Sequence, residues 1–271
     1  MTSFNEKLLN ISHKNNSLLC VGLDIDKKKI PSFLREASKN PYIEFNKTII
    51  DQTKDLVCAY KLNLAFYEAL GENGWQLLSK TLKLIPKNII IILDGKRNDI
   101  GNTAEKYAQS LYEVLNADSI TVNPYLGSDG VNPFLKFKNK CSFILCRTSN
   151  PSAVEFQNLL CNGKPLYEHV AMKTNEWNSL GQCGIVVGAT YPDELQAIRR
   201  IVKDEIPFLI PGIGKQGGDI EKTVKFGANK DGELAIINSS RGIIYAGKDE
   251  DYGSAVRNAA EKLRDLLNKY R

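Results

Sequence analysis

Short apolar runs recur at a regular interval along this chain, and amphipathic stretches fill the gaps. The runs span 18–23, 57–62, 89–93, 119–122, 142–146, 184–187, 208–210 and 234–238. They are short, rich in β-branched residues and lack alternation, as expected of parallel strands buried on both faces. Helical periodicity marks 43–53, 75–84, 103–115, 129–137, 167–177, 193–202, 219–226 and 255–267. The spacing of strand ends between residues 24 and 238 is about 31 residues, the size of one strand–helix unit. Eight such units predict an α/β fold, a parallel eight-stranded (β/α)8 TIM barrel, with an open doubly wound sheet as the alternative. One stretch, 154–167, breaks the alternation. Its Asn162-Gly163 pair suits a two-residue hairpin turn, so a small β-hairpin is expected after the fifth strand. With no linker or low-complexity segment in view, residues 1–271 are read as a single barrel domain.

The third run leads into Asp94-Gly95-Lys96-Arg97-Asn98-Asp99-Ile100-Gly101-Asn102-Thr103. Residues two apart on a strand point the same way, which predicts that Asp94 and Lys96 project together from the strand's C-terminal end. Asp99 and Thr103 follow at the expected start of a helix. In α/β folds chemistry gathers at this end of the strands. An ion pair capping the strand is the plain alternative. Lys61, behind the apolar stretch Val57-Cys58-Ala59-Tyr60, needs a counter-charge if buried, and Asp94 on the neighbouring strand is placed to supply it.

Composition narrows the class. The 36 Lys+Arg against 31 Asp+Glu give a net charge of +5, too small and too dispersed to argue for nucleic acid. Lys27-Lys28-Lys29 and the basic stretch 262–271 read as solvated surface. Of the six cysteines, Cys20, Cys58, Cys141 and Cys146 fall in apolar runs, where a thiol behaves as a small buried hydrophobe. None forms a Cys-x-x-Cys pair, and a chain this long needs no disulfides, so a reducing cytoplasm is expected. The N-terminal residues show no signal-peptide pattern, and no apolar run approaches bilayer length. His13 and His169 are the two histidines, which leaves little material for a metal centre or a histidine-based triad.

The strand ends carry polar groups that a barrel would gather at one mouth: Asp24, Lys61 with Asn63, Asp94 with Lys96, Arg147-Thr148-Ser149-Asn150-Pro151, Pro211-Gly212-Ile213-Gly214-Lys215-Gln216-Gly217-Gly218, and Asn238-Ser239-Ser240-Arg241-Gly242. The last two follow the seventh and eighth strands, the usual phosphate site of such barrels. Glycine-rich turns expose N–H groups, and Arg241 would add a planar fork for phosphate oxygens. Gly212-x-Gly214-x-x-Gly217 also fits a dinucleotide fingerprint, but that motif belongs to the first βαβ unit of its domain.

Taken together, these segments resemble the orotidine 5′-monophosphate decarboxylase family, over nearly the whole chain. Asp94, Lys96, Asp99, Ile100 and Thr103 match its central Asp-x-Lys-x-x-Asp motif. Lys61 to Glu68 match its second-strand motif, with Leu62 where many members have Pro. Arg147 to Pro151 resemble the motif of a large bacterial-type branch, and Pro211 to Asp219 and Ser240-Arg241 resemble the phosphate loops. The resemblance implies cofactor-independent decarboxylation of orotidine 5′-monophosphate to UMP in pyrimidine synthesis, with no metal. It implies that Lys96 protonates C6, that Asp94 lies beside the departing carboxylate, and that Lys61 and Asp24 hold the ribose hydroxyls. It further implies that Asp99 and Thr103 reach the ribose of the substrate of a second subunit, in a homodimer with shared sites, and that Ile100 binds substrate. Ser149 would read the pyrimidine edge, Pro211 would pack over the base, and Asn63 would lie near the ribose-phosphate side. Gly214, Gln216, Ser240 and Arg241 would hold the phosphate. A Mg-dependent sugar-phosphate lyase or aldolase and an inert nucleotide-binding barrel are the competing readings.

Overall fold

The computed structural model describes residues 2–213 and 219–271. Eight parallel strands close into a barrel: β1 (Leu19–Gly22), β2 (Ala59–Asn63), β3 (Ile90–Arg97), β4 (Ser119–Val122), β5 (Cys141–Arg147), β6 (Cys183–Val187), β7 (Phe208–Pro211) and β8 (Ala235–Ser239). Each pairs with its neighbours in sequence, and β1 pairs with β8 to close the ring. The strands are almost wholly buried, inside by packed side chains and outside by the helices, as their apolar runs require. The barrel is therefore the expected one, and the open sheet is excluded. No described helix is long and apolar enough to cross a membrane.

Most helices start within a few residues of their expected positions. Pro41 and Pro192 open two of them, where a missing N–H costs nothing. Asp219 caps Ile220–Gly227 by accepting the Lys222 N–H at 3.0 Å. The expected 103–115 helix begins at Gly101 and changes character: Gly101–Gln109 is α-helical and Ser110–Val114 is a π turn. The N-terminal helix Phe4–Lys14 was not among the expected elements. Ser3 and Glu6 form a capping box at its start, and Phe4, Leu8 and Ile11 are buried. It lies against the ends of the strands opposite the polar mouth. Phe4 meets Phe143 edge-on with 6.0 Å between ring centroids, and Lys7 pairs with Asp118 at 2.6 Å.

The expected hairpin is present. Leu160–Cys161 pairs antiparallel with Lys164–Pro165, and Asn162 and Gly163 both have positive φ, 51° and 77°, as a type I′ turn demands.

Candidate active site

The mouth at the C-terminal ends of the strands holds a cavity of about 450 Å³. One side is charged. The Lys61 ammonium, at the centre of β2, lies 3.1 Å from Asp94 Oδ2 and 3.9 Å from Asp24 Oδ1. Asp94 Oδ1 accepts from the Lys96 ammonium at 2.7 Å and from the Thr121 hydroxyl at 2.8 Å. Asp24, Lys61, Asp94 and Lys96 thus alternate in sign along one row. Lys61 and Asp94 are buried, whereas the Lys96 side chain is 47% exposed, so one ammonium of the row is open to the cavity.

Burial alone would push the Asp94 carboxyl up. The adjoining charges of Lys61 and Lys96, with the hydrogen bonds from Lys96 and Thr121, win and hold it well below the usual carboxylate range. Burial would likewise lower the Lys61 ammonium, but Asp24 and Asp94 raise it above the ordinary lysine value. Both groups therefore stay charged at neutral pH, and neither is free to exchange a proton there.

Asp94 and Lys96 meet as expected, but not through strand alternation. Between Leu93 and Arg97 the pairing of β3 with β4 slips: Leu93 faces Ile120, and Arg97 faces Val122. Four steps along β3 thus match two along β4, a bulge that re-aims side chains. Within it Lys96 adopts φ 44°, and its N–H donates to Thr121 Oγ1 at 2.9 Å. A left-handed conformation at a non-glycine residue is costly and is retained where surrounding contacts enforce it. Thr121 is that contact, bridging the Lys96 backbone and the Asp94 carboxylate. Sequence reading passed over it because a threonine in a strand is unremarkable.

The wall of the cavity away from the charged row is apolar, formed by Leu145, Val186, Leu209, Pro211 and Ile213. Polar groups rim it: Thr148, Ser149 and Asn150 after β5, and Ser239, Ser240 and Arg241 after β8. Asn63 lines it as well; its backbone N–H donates to Asp24 at 3.3 Å, and its side chain caps the helix Leu64–Glu68. Gly22 makes room for Ser240, since a Cβ on Gly22 would lie 1.9 Å from Ser240 Oγ. Gly212, at φ 102°, is confined to glycine by its conformation. Asn238, expected among the polar groups at the strand ends though given no role there, also lines the cavity.

Of the residues expected at the site, Asp24, Lys61, Asn63, Asp94, Lys96, Ser149, Pro211, Ser240 and Arg241 converge on this one cavity. Asp99, Ile100 and Thr103 do not line it. Asp99 is half-buried and its carboxylate accepts the Ile100 N–H at 2.9 Å, while Ile100 and Thr103 face outward. Gly214 and Gln216 lie outside the described residues. Among the described residues no group of three or more His, Cys, Asp or Glu side chains is arranged to hold a metal ion.

An anionic, planar ligand would suit such a cavity: an apolar wall for a ring, an ammonium at one edge, and a cationic rim for a remote anion. Comparison with known proteins agrees. The family model for orotidine 5′-phosphate decarboxylase / HUMPS matches residues 17–256. The orotidine 5′-phosphate decarboxylase of Dehalococcoides mccartyi is 47% identical over 99% of this chain and 98% of its own length. That of Cellvibrio japonicus is 46% identical over 98% of both. The structure of Leishmania donovani OMP decarboxylase superposes with a TM-score of 0.87 at 37% identity, covering 99% of this chain and 98% of that one. The chain belongs to the orotidine 5′-phosphate decarboxylase / HUMPS family.

Proposed function

We propose that the row Asp24–Lys61–Asp94–Lys96 carries out the decarboxylation of orotidine 5′-monophosphate to UMP, without a cofactor, and that Lys96 is the group that acts on the reacting carbon. The reaction itself, a carboxy-lyase step of pyrimidine synthesis, follows from whole-chain similarity to decarboxylases. The observation that carries the residue assignment is the half-exposed Lys96 ammonium, held at 2.7 Å by the buried Asp94 and directed into a cavity walled by apolar side chains.

Loss of CO₂ leaves an electron pair on C6 of the pyrimidine. An ammonium fixed beside that carbon stabilises the developing charge and then donates its proton there. Asp94 orients Lys96 and, as a fixed anion beside the substrate carboxylate, favours the departure of CO₂. Lys61, locked between Asp24 and Asp94, keeps that anion in place, and with Asp24 and Asn63 it offers hydrogen bonds to the ribose. Pro211 packs on the base, Ser149 meets its polar edge, and Ser240 and Arg241, with Gly214 and Gln216, hold the phosphate. Binding energy from the phosphate, remote from the breaking bond, is then available to the transition state.

The same reading makes Asp99, Ile100 and Thr103 contributors to the cavity of a second copy, in a homodimer. The exposed apolar side chains Phe66, Ile100, Tyr107, Tyr125 and Leu126, in the segments that follow β2, β3 and β4, support this, being available for burial on association. The whole chain acts as one catalytic domain, in the cytoplasm.

The test is loss of pyrimidine absorbance on adding orotidine 5′-monophosphate, before and after dialysis against a strong chelator. Full activity after chelation is expected, because a divalent cation beside Lys61 and Lys96 would be repelled. Activity that returned only with Mg²⁺ would favour the sugar-phosphate lyase.

A further inference from the structure

Arg147, the last residue of β5, is the largest fully buried side chain among the described residues, and the row of reacting charges does not use it. Its Nε donates to Glu194, in the first turn of the helix Pro192–Ile201 that follows β6. Its guanidinium lies over the Tyr191 ring, with Cζ 3.9 Å from the centroid. Its Nη1 donates to the Thr148 carbonyl at 2.9 Å and faces Gln157 Oε1 at 3.4 Å. Gln157 continues the network. Its Oε1 accepts the Thr148 N–H at 2.9 Å, and its Nε2 donates to Thr148 Oγ1 at 2.8 Å; that hydroxyl donates to Asn150 at 2.7 Å.

The segment held in this way, Thr148-Ser149-Asn150, is the cavity rim after β5. A second contact seats it from the β6 side. The Gly188 N–H donates to the Arg147 carbonyl at 2.7 Å, and a Cβ on Gly188 would lie 2.8–2.9 Å from the Ser149 backbone and Cβ. Ser149 therefore rests against bare backbone on one side and on the Arg147–Gln157 network below.

We propose that Arg147 is a positioning residue for base recognition. Its planar fork ties the rim segment to Gln157 and to Glu194, and so fixes where Ser149 presents its hydroxyl and N–H to the pyrimidine. This rests on the reading that Ser149 meets the base. A guanidinium is needed because one ammonium cannot stack on Tyr191 and face Glu194, Gln157 and the Thr148 carbonyl together. Nε and Nη1 are engaged while Nη2 is buried without a hydrogen-bond partner among the described residues, and a buried charge held at that cost beside the rim calls for a role beyond filling space.

The test compares binding of UMP with binding of ribose 5-phosphate, which keeps the sugar and phosphate but lacks the base, by titration calorimetry. Ser149→Ala is expected to weaken UMP and spare ribose 5-phosphate; an equal effect on both, or none, would show that Ser149 does not read the base. Gln157→Ala and Arg147→Met are expected to show the same selective pattern, each weakening UMP by about tenfold. Arg147→Lys should keep the fold and most of that loss. If Arg147→Met fails to fold, Gln157→Ala, which leaves the Arg147–Glu194 pair intact, carries the test. Selective loss in Ser149→Ala without it in Gln157→Ala, or equal loss of both ligands in Gln157→Ala, would overturn the positioning role while leaving the reading of Ser149 standing.

Discussion

Lys96 brings its ammonium to 2.7 Å from the Asp94 carboxylate out of a left-handed backbone conformation, φ 44°. Regular β geometry would have set the two side chains parallel and pointing away. The bulge opposite Thr121 sets the ammonium into the cavity mouth instead, with Asp94 behind it and Lys61 on the far side of Asp94.

Lys96→Ala is the sharpest test of the chemistry. Alanine carries the same Cβ as lysine, so the backbone strain is unchanged and the fold should persist. Asp94 keeps Lys61 and Thr121 as partners. Loss of the carbanion stabiliser and proton donor is expected to lower kcat by several orders of magnitude while UMP still binds. A variant retaining a tenth of the wild-type kcat in the absorbance assay would remove Lys96 from the reaction.

Asp94→Asn should destabilise the protein as well as inactivate it. Among the described residues, Lys61 would remain buried with Asp24, at 3.9 Å, as its one paired anion. Breaking a buried pair costs about 3–5 kcal/mol when one charge is stranded, and Asp24 should keep the cost toward the lower end. The pH dependence has a definite sign. The folded-state Asp94 value lies below its unfolded value, so its contribution is fully present above the unfolded value of about 3.9 and fades as pH falls below that. Denaturant melts of wild type and Asp94→Asn should therefore differ at neutral pH and converge in acid. A constant gap from pH 7 to pH 2 would contradict the buried ion-pair account.

Arg241→Ala should act on the phosphate. Arg241 is exposed at the rim after β8, away from the charged row. Losing a charge-assisted fork at a solvent-facing site is expected to lower kcat/KM for the nucleotide by roughly tenfold to a hundredfold. Activity on orotidine, which lacks the phosphate, should barely move. Equal losses on the two substrates would mean that Arg241 does not contact phosphate.

The shared-site reading predicts complementation. In a dimer of one Lys96→Ala chain and one Asp99→Ala chain, the site on the Asp99→Ala chain keeps its own Lys96 and borrows Asp99. The other site lacks both. Random reassortment of an equal mixture should restore about a quarter of wild-type sites. The two inactive variants are unfolded and refolded together, heterodimers are confirmed by native mass spectrometry, and activity is measured. Recovery no greater than that of the separate variants would place Asp99 in its own chain's site.

The sequence by itself determined the barrel, the strand ends and the charge types that gather there. Each of these rests on local information. Buried strands read as apolar runs, helices as a 3.6-residue period, and Asn162-Gly163 as a turn whose positive φ values only a few residue types accept. The N-terminal helix was legible in its Ser3–Glu6 capping box and in the helical spacing of Phe4, Leu8 and Ile11, but it precedes the first strand and so falls outside the strand–helix alternation that organised the reading. Tertiary structure alone decided which groups meet. The β3 bulge depends on how β3 pairs with β4, so neither the conformation of Lys96 nor the bridging Thr121, 25 residues away, could be read along the chain. Arg147 finds Glu194 across 47 residues because β5 and β6 are neighbours in the closed ring. Asp99, Ile100 and Thr103 look out of the cavity because the helix after β3 begins beyond the rim. Periodicity records which residues are buried. Partner choice follows from register, bulges and ring closure, which are set by contacts between segments far apart in sequence.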